Sequence, residues 1–299
     1  MRAAVLVVYV GVACLWGSTW AVIRIGLQDL PPLLFAGVRM AIAAVLLAPF
    51  ALRDRSWRTL PRGVPRRIVE VGVLQIALPY GLMFVAQQWV PSALAAILFA
   101  TFPVWIALLA AWLLPGESLG LSVLVSAALG MAGIAVLERP HLAALQSSPR
   151  LVLGSALVVA ASMVVALANV LVRRHLVAVS PLVMTAGQTV VGAVALLLAA
   201  ALLERGAPVA LTRSALAAVL YLAVFATAVT YLGLYWLVPR VPIAAIGAIP
   251  LLDTTVAVLL GALLLDEPVG WHLAAGGALV LSAAALASRR RAAAPEASS

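Results

Sequence analysis

Residues 78–91 read LPYGLMFVAQQWVP and residues 229–242 read VTYLGLYWLVPRVP. Set over one another at an offset of 151 positions, Tyr80 falls on Tyr231, Phe84 on Tyr235 and Val90-Pro91 on Val241-Pro242. The register carries outward at nearly the same offset: Trp20 meets Asn169, Arg24 meets Arg173, Pro32-Leu33 meets Pro181-Leu182, Arg39 meets Gln188 and, with a one-residue slip, Glu117 meets Glu267. Each half holds five apolar segments. An odd number forces the second half to enter a membrane from the side opposite to the first, which is the inverted-repeat plan of secondary transporters.

The composition agrees. Of 299 residues 65% are hydrophobic and only 10% charged, far from the balance of a soluble domain, and the mean hydropathy is +1.17. The spacing predicts spans over 3–27, 32–52, 68–89, 91–114, 119–137, 151–173, 181–203, 215–238, 242–265 and 269–288. Each is long enough to cross about 30 Å of hydrocarbon. They must be helices, since in lipid every backbone polar group has to be satisfied within its own segment. The expected fold is therefore an all-α integral membrane protein of ten transmembrane helices in two inverted five-helix repeats. It forms one membrane domain over 1–299, with the first repeat at 1–145, the second at 146–291 and a short polar C-terminal tail at 292–299. The first apolar run has no small-residue cleavage site after a short core, so it is expected to stay as a span.

The net charge of +9 comes from 19 arginines in a chain without lysine. With the N-terminus in the cytoplasm, thirteen of them (Arg2, Arg53, Arg55, Arg58, Arg62, Arg66, Arg67, Arg173, Arg174, Arg240, Arg289, Arg290 and Arg291) fall on the cytoplasmic side, and four (Arg139, Arg150, Arg205 and Arg213) on the external side. This is the positive-inside bias, and it places both termini in the cytoplasm. The basic stretch from Arg53 to Arg67 reads as a loop facing anionic head groups rather than a nucleic-acid surface. Cys14 is the only cysteine, His141, His175 and His272 lie in or beside loops, and no Gly-Lys-Ser/Thr phosphate loop exists. Metal, cofactor and ATP-driven chemistry are not expected.

In such repeats the solute site lies near the midplane where the halves meet. Tyr80 and Phe84, like Tyr231 and Tyr235, stand four residues apart and share a helix face. With Trp16 and Trp105 they are candidate lining for a cavity. Ser18, Thr101, Asn169 and Gln188 add neutral hydrogen-bonding groups in otherwise apolar helices, as do Gln87 and Thr230. Pro79, Pro103 and Pro250 interrupt their helices and are candidate hinges. Gly130 and Gly133 are expected to allow close helix packing, as are Gly116 and Gly120.

Several motifs resemble the drug/metabolite transporter superfamily, in particular its EamA-type ten-helix members. Trp16-Gly17-Ser18-Thr19-Trp20 followed by Arg24-Ile25-Gly26-Leu27 resembles the opening and close of that family's first helix. Arg39 falls where the family places an arginine, Phe102-Pro103-Val104 to Pro115-Gly116-Glu117 is similar to its fourth helix, and Asp266-Glu267-Pro268 repeats that ending. Among its branches the chain is most similar to YddG-like amino-acid exporters. The chain departs from the family at Asp253, where the resemblance implies proline, so a break in that helix is expected at Pro250.

Asp253 lies near the middle of its span, where a charge costs on the order of 3 kcal/mol on insertion scales. Two readings stand: a proton- or cation-responsive coupling group, or a hydrogen-bonded carboxyl capping the break at Pro250. Arg39 is likewise too deep for a loop charge. It serves either to attract a substrate carboxylate or to tie helices together through backbone carbonyls, whereas Arg24 sits near the edge and is expected to snorkel.

What the sequence and its resemblance together imply is a bacterial inner-membrane exporter of amino acids, aromatic or otherwise apolar, or of similar small metabolites. It works by alternating access, driven by the solute gradient or by a proton. An exporter of lipophilic cationic drugs is the nearest alternative, with Arg24 and Arg39 weighing against it. A polytopic enzyme acting on lipids needs a convergent acid, base or metal set that the sequence does not offer.

Overall fold

The computed structural model describes residues 3–114, 121, 125–126, 128–133, 136, 148–241, 243–266 and 270–289. The predicted fifth span at 119–137 falls mostly outside these. Arg2, Pro115, Gly116, Glu117, Gly120, Arg139, His141, Pro242, Glu267, Pro268, Arg290 and Arg291 lie outside them entirely.

The described residues are all-helical, without strands. The helices are α1 (Ala3–Gly26), α2 (Pro32–Arg53), α3 (Val64–Ala86), α4 (Ser92–Leu113), α5 (Pro149–His175), α6 (Pro181–Leu203), α7 (Arg213–Leu237), α8 (Ile243–Leu265) and α9 (Trp271–Arg289). The first seven are long and apolar enough to cross a membrane. Proline in the first turn starts α2, α5 and α6, where its missing N–H costs nothing.

Three helices depart from regular geometry, each for a local reason. In α3 the segment Val73–Ala77 is a π-turn just before Pro79, with the Leu78 N–H reaching back five residues to the Val73 carbonyl. In α7 the π-turn is Val224–Val229, where no proline stands. There the Thr227 hydroxyl donates to Leu222 O at 2.8 Å and the Thr230 hydroxyl to Phe225 O, each also five residues back. In α4 the helix stops at Phe99 and restarts at Phe102. Pro103 has no N–H to give the Phe99 carbonyl, and Ser162 of α5 donates to that carbonyl instead at 3.0 Å. At Pro250 the expected break is absent: α8 runs unbroken from Ile243 to Leu265. A single proline removes one bond and leaves the remaining ladder to carry the helix. Gly133 fits against α9 as the spacing predicts, a carbon added there lying 2.7 Å from Val280 Cγ2 and 2.9 Å from Gly276 O.

Helices α2 and α6 form an antiparallel pair held by a contact at either end. Beyond the C-terminus of α6, the two Glu204 carboxylate oxygens accept the Leu33 and Leu34 N–H groups at 2.7 and 2.8 Å. These are orphan donors of the first turn of α2. Beyond the C-terminus of α2, Asp54 accepts from Ser56 N at 2.9 Å and from the hydroxyl of Ser180, which precedes α6, at 2.8 Å. Removing the cap with Glu204→Ala is expected to cost about 0.5–2 kcal/mol, read as a lowered melting temperature of the purified protein. The Ser56 amide, with the Ser180 hydroxyl, holds the Asp54 carboxyl below its ordinary value. Its contribution is therefore present at neutral pH and is lost as pH falls through that lowered value.

Candidate functional site

A cavity of about 70 Å³ lies among α1, α3, α4, α5, α7 and α8. That is room for a few waters, short of a drug-sized pocket. Trp16 and Trp20 reach it from α1, Gln75 and Tyr80 from α3, Phe99 and Phe102 from α4, Asn169 from α5, Tyr231 from α7, and Pro250 and Asp253 from α8. Its walls are rings: Trp16 meets Tyr231 edge-on at 5.7 Å, Trp20 meets Phe99 at 5.6 Å, and Phe99 stacks on Phe102 at 6.2 Å. Its neutral polar groups are paired, Asn169 Nδ2 donating to Gln75 Oε1 at 3.1 Å and the Tyr80 and Tyr231 hydroxyls standing 3.2 Å apart.

Asp253 is 3% exposed. Among the described residues its carboxylate has one side-chain neighbour within hydrogen-bonding reach, the Thr254 hydroxyl at 3.5 Å, and that hydroxyl is better engaged with Pro250 O at 2.6 Å. Because α8 has no break, Asp253 caps nothing; it faces the cavity.

Arg39 is fully buried in α2 and does not line the cavity. Its Nε and Nη2 donate to the Thr227 hydroxyl at 3.1 and 2.9 Å, and Nη2 also to the Ala226 carbonyl at 3.2 Å. The guanidinium thus plugs the carbonyl that the π-turn of α7 leaves free, while its face lies 4.9 Å from the Tyr80 ring and 5.8 Å from Phe84. Arg24 Nη1 donates to Gln87 O at the end of α3, and Arg173 Nη1 makes the matching bond to Val238 O at the end of α7, at 3.0 Å.

Of the residues singled out from sequence, Trp16, Tyr80, Asn169, Tyr231, Pro250 and Asp253 come together around the cavity; the others stand behind it. Phe84 packs on Phe35, and Tyr235 donates its hydroxyl to Gln188. Ser18 bonds to Leu15 O and to the Tyr221 hydroxyl, and Trp105 Nε1 donates to Thr101. Pro79 follows the π-turn of α3 and Pro103 opens the second half of α4. Sequence reasoning missed Trp20, Gln75, Phe99 and Phe102 as lining. Trp20 was legible, one turn after Trp16 on the same face.

An EamA-like transporter family model matches residues 2–139 and again 152–289. The chain is 27% identical over 95% of its length to a transporter, YvbV, of Bacillus subtilis, covering 91% of that protein. Over 30% of each chain it is 41% identical to an inner membrane transporter, YedA, of Escherichia coli. A transporter of Archaeoglobus fulgidus is 23% identical over 92% of this chain and 95% of its own. A solved structure superposes with a TM-score of 0.67 at 22% identity, covering 98% of this chain and 99% of the other, a likeness of fold. Fold and family together define a multi-pass membrane transport protein. More particularly, the chain belongs to the EamA-like transporter family.

Proposed function

We propose that this protein is a secondary transporter that exports small amine-bearing metabolites by rocking two inverted five-helix repeats about the aromatic cavity. The observation that carries the reading is that one buried cavity draws its lining from both halves of the chain. Equivalent contacts in the two halves support the repeat: Arg24 on Gln87 beside Arg173 on Val238, Asp54 on Ser180 beside Glu204 on the start of α2, and π-turns 151 positions apart. Tyr80 touches its own counterpart Tyr231, as residues on a two-fold axis do. The family model fits each half separately, which is what a duplication predicts. The drive is the solute gradient alone or a proton taken up at Asp253. The membrane is the bacterial inner membrane, with both chain ends in the cytoplasm and ten spans in all.

Counterflow in proteoliposomes against a panel of amino acids and amines tests this. Trp16→Ala and Tyr80→Ala are expected to slow flux by about tenfold or more, whereas Trp271→Ala, on the outside of α9 and 64% exposed, leaves it near the parent rate. Folded protein that moves no solute in the panel would overturn the reading.

A further inference from the structure

The charges around the cavity narrow the class of solute. Arg24 is spent on the Gln87 carbonyl, Arg173 on Val238 O, and Arg39 on Ala226 O and Thr227, and none of the three lines the cavity. None of the three therefore offers a direct partner to a solute in the cavity. Among the described residues what remains is one carboxylate, Asp253, buried, with only a 3.5 Å contact to Thr254. It shares the space with the rings of Trp16, Trp20, Tyr80, Phe99, Phe102 and Tyr231. Aromatic faces present negative charge and attract cations most strongly where water is excluded. The amides of Gln75 and Asn169 are joined to one another. A solute carboxylate entering here finds no cationic partner among the described lining residues, whereas a solute ammonium can pair with Asp253.

We propose that the solute is an organic cation, a protonated amine or quaternary ammonium, with its nitrogen held between Asp253 and the ring walls, and that zwitterionic amino acids are disfavoured. This deepens the transport reading and rests on it.

One apolar body with three head groups tests the proposal. Phenethylammonium, phenylalanine and phenylacetate are titrated against the full-length purified protein by isothermal titration calorimetry. Phenethylammonium is expected to bind at least about tenfold more tightly than phenylalanine, and phenylacetate not to saturate. Asp253→Asn, checked for folding by gel filtration and melting, is expected to lose about tenfold or more in phenethylammonium affinity, with Asp253→Glu retaining the cation preference. Phenylalanine binding as well as or better than phenethylammonium to the parent protein would overturn the proposal, as would an unchanged affinity in a folded Asp253→Asn. The parent head-group series decides the matter even if the variants do not fold. Counterflow of phenyltrimethylammonium, which cannot cross lipid unaided, separates the two claims. Cation binding without flux of any solute sinks the transport reading alone; flux of phenylalanine without phenyltrimethylammonium sinks the cation alone.

Discussion

Replacing Arg39 by alanine is expected to lower the stability of the purified protein by about 2–5 kcal/mol, roughly 5–15 °C in melting temperature for a chain of this size. Three losses combine. The side chain is wholly buried, so its removal leaves a void beside Tyr80 and Phe84. The Ala226 carbonyl, already freed by the π-turn, loses the Nη2 donor. The tie between α2 and α7 through Thr227 disappears, although Thr227 keeps its bond to Leu222 O. Against these stands the relief of a buried charge, because among the described residues Nη1 has no hydrogen-bond partner. That relief sets the order of a second and third variant. Arg39→Met refills the void without the charge and is expected to recover more than half of the lost stability. Arg39→Lys keeps the charge but cannot place two nitrogens on Thr227 and Ala226 at once, and falls below Met. The ranking Met above Lys above Ala in thermal melts checks the account, and an alanine variant melting within about 2 °C of the parent would refute it.

Helix positions were legible because hydrocarbon thickness fixes span length and apolar runs show it directly. The predicted 181–203 is α6 to the residue, and α2 differs from its predicted span by one residue at its end. The cavity was legible only in part, because a face was assigned by counting in α-helical turns. Gln75 stands five residues before Tyr80, about 140° away on an α-helix. The π-turn at Val73–Ala77 closes five residues into a single turn and brings both side chains to the cavity. Nothing in the residues of α7 announces the matching π-turn, which shows itself through hydroxyl bonds from Thr227 and Thr230. Phe84 shares a face with Tyr80, yet one turn further along α3 the neighbour is Phe35 of α2 rather than open space. Phe99 and Phe102 flank a break whose cause, Pro103, was visible, but whose consequence, turning two rings inward, depends on Ser162 taking the vacated carbonyl.

Gly17→Ala is expected to destabilise the protein by about 1–3 kcal/mol, and Gly17→Val by more, with flux lost in any fraction that folds. A carbon added at Gly17 would lie 2.5 Å from the Asp253 carbonyl oxygen and 2.6 Å from Val256 Cβ, both belonging to the body of α8 rather than to a side-chain tip. Neither can swing aside, so α1 and α8 must part. The seam they share is otherwise tight, with the Tyr9 hydroxyl donating across it to Ala245 O at 2.7 Å. Gly17 sits inside Trp16-Gly17-Ser18-Thr19-Trp20, and the segment divides its work by face. Trp16 and Trp20 enter the cavity, Ser18 bonds to Tyr221 of α7, Thr19 donates to Trp16 O, and Gly17 admits α8. Parting the seam therefore moves two of the ring walls away from Asp253 at the same time as it costs packing. Bound phenethylammonium, which on this account bridges the rings and the carboxylate, is expected to stabilise the parent in a thermal melt and to stabilise folded Gly17→Ala less. Equal stabilisation of the two would mean that the solute does not span α1 and α8.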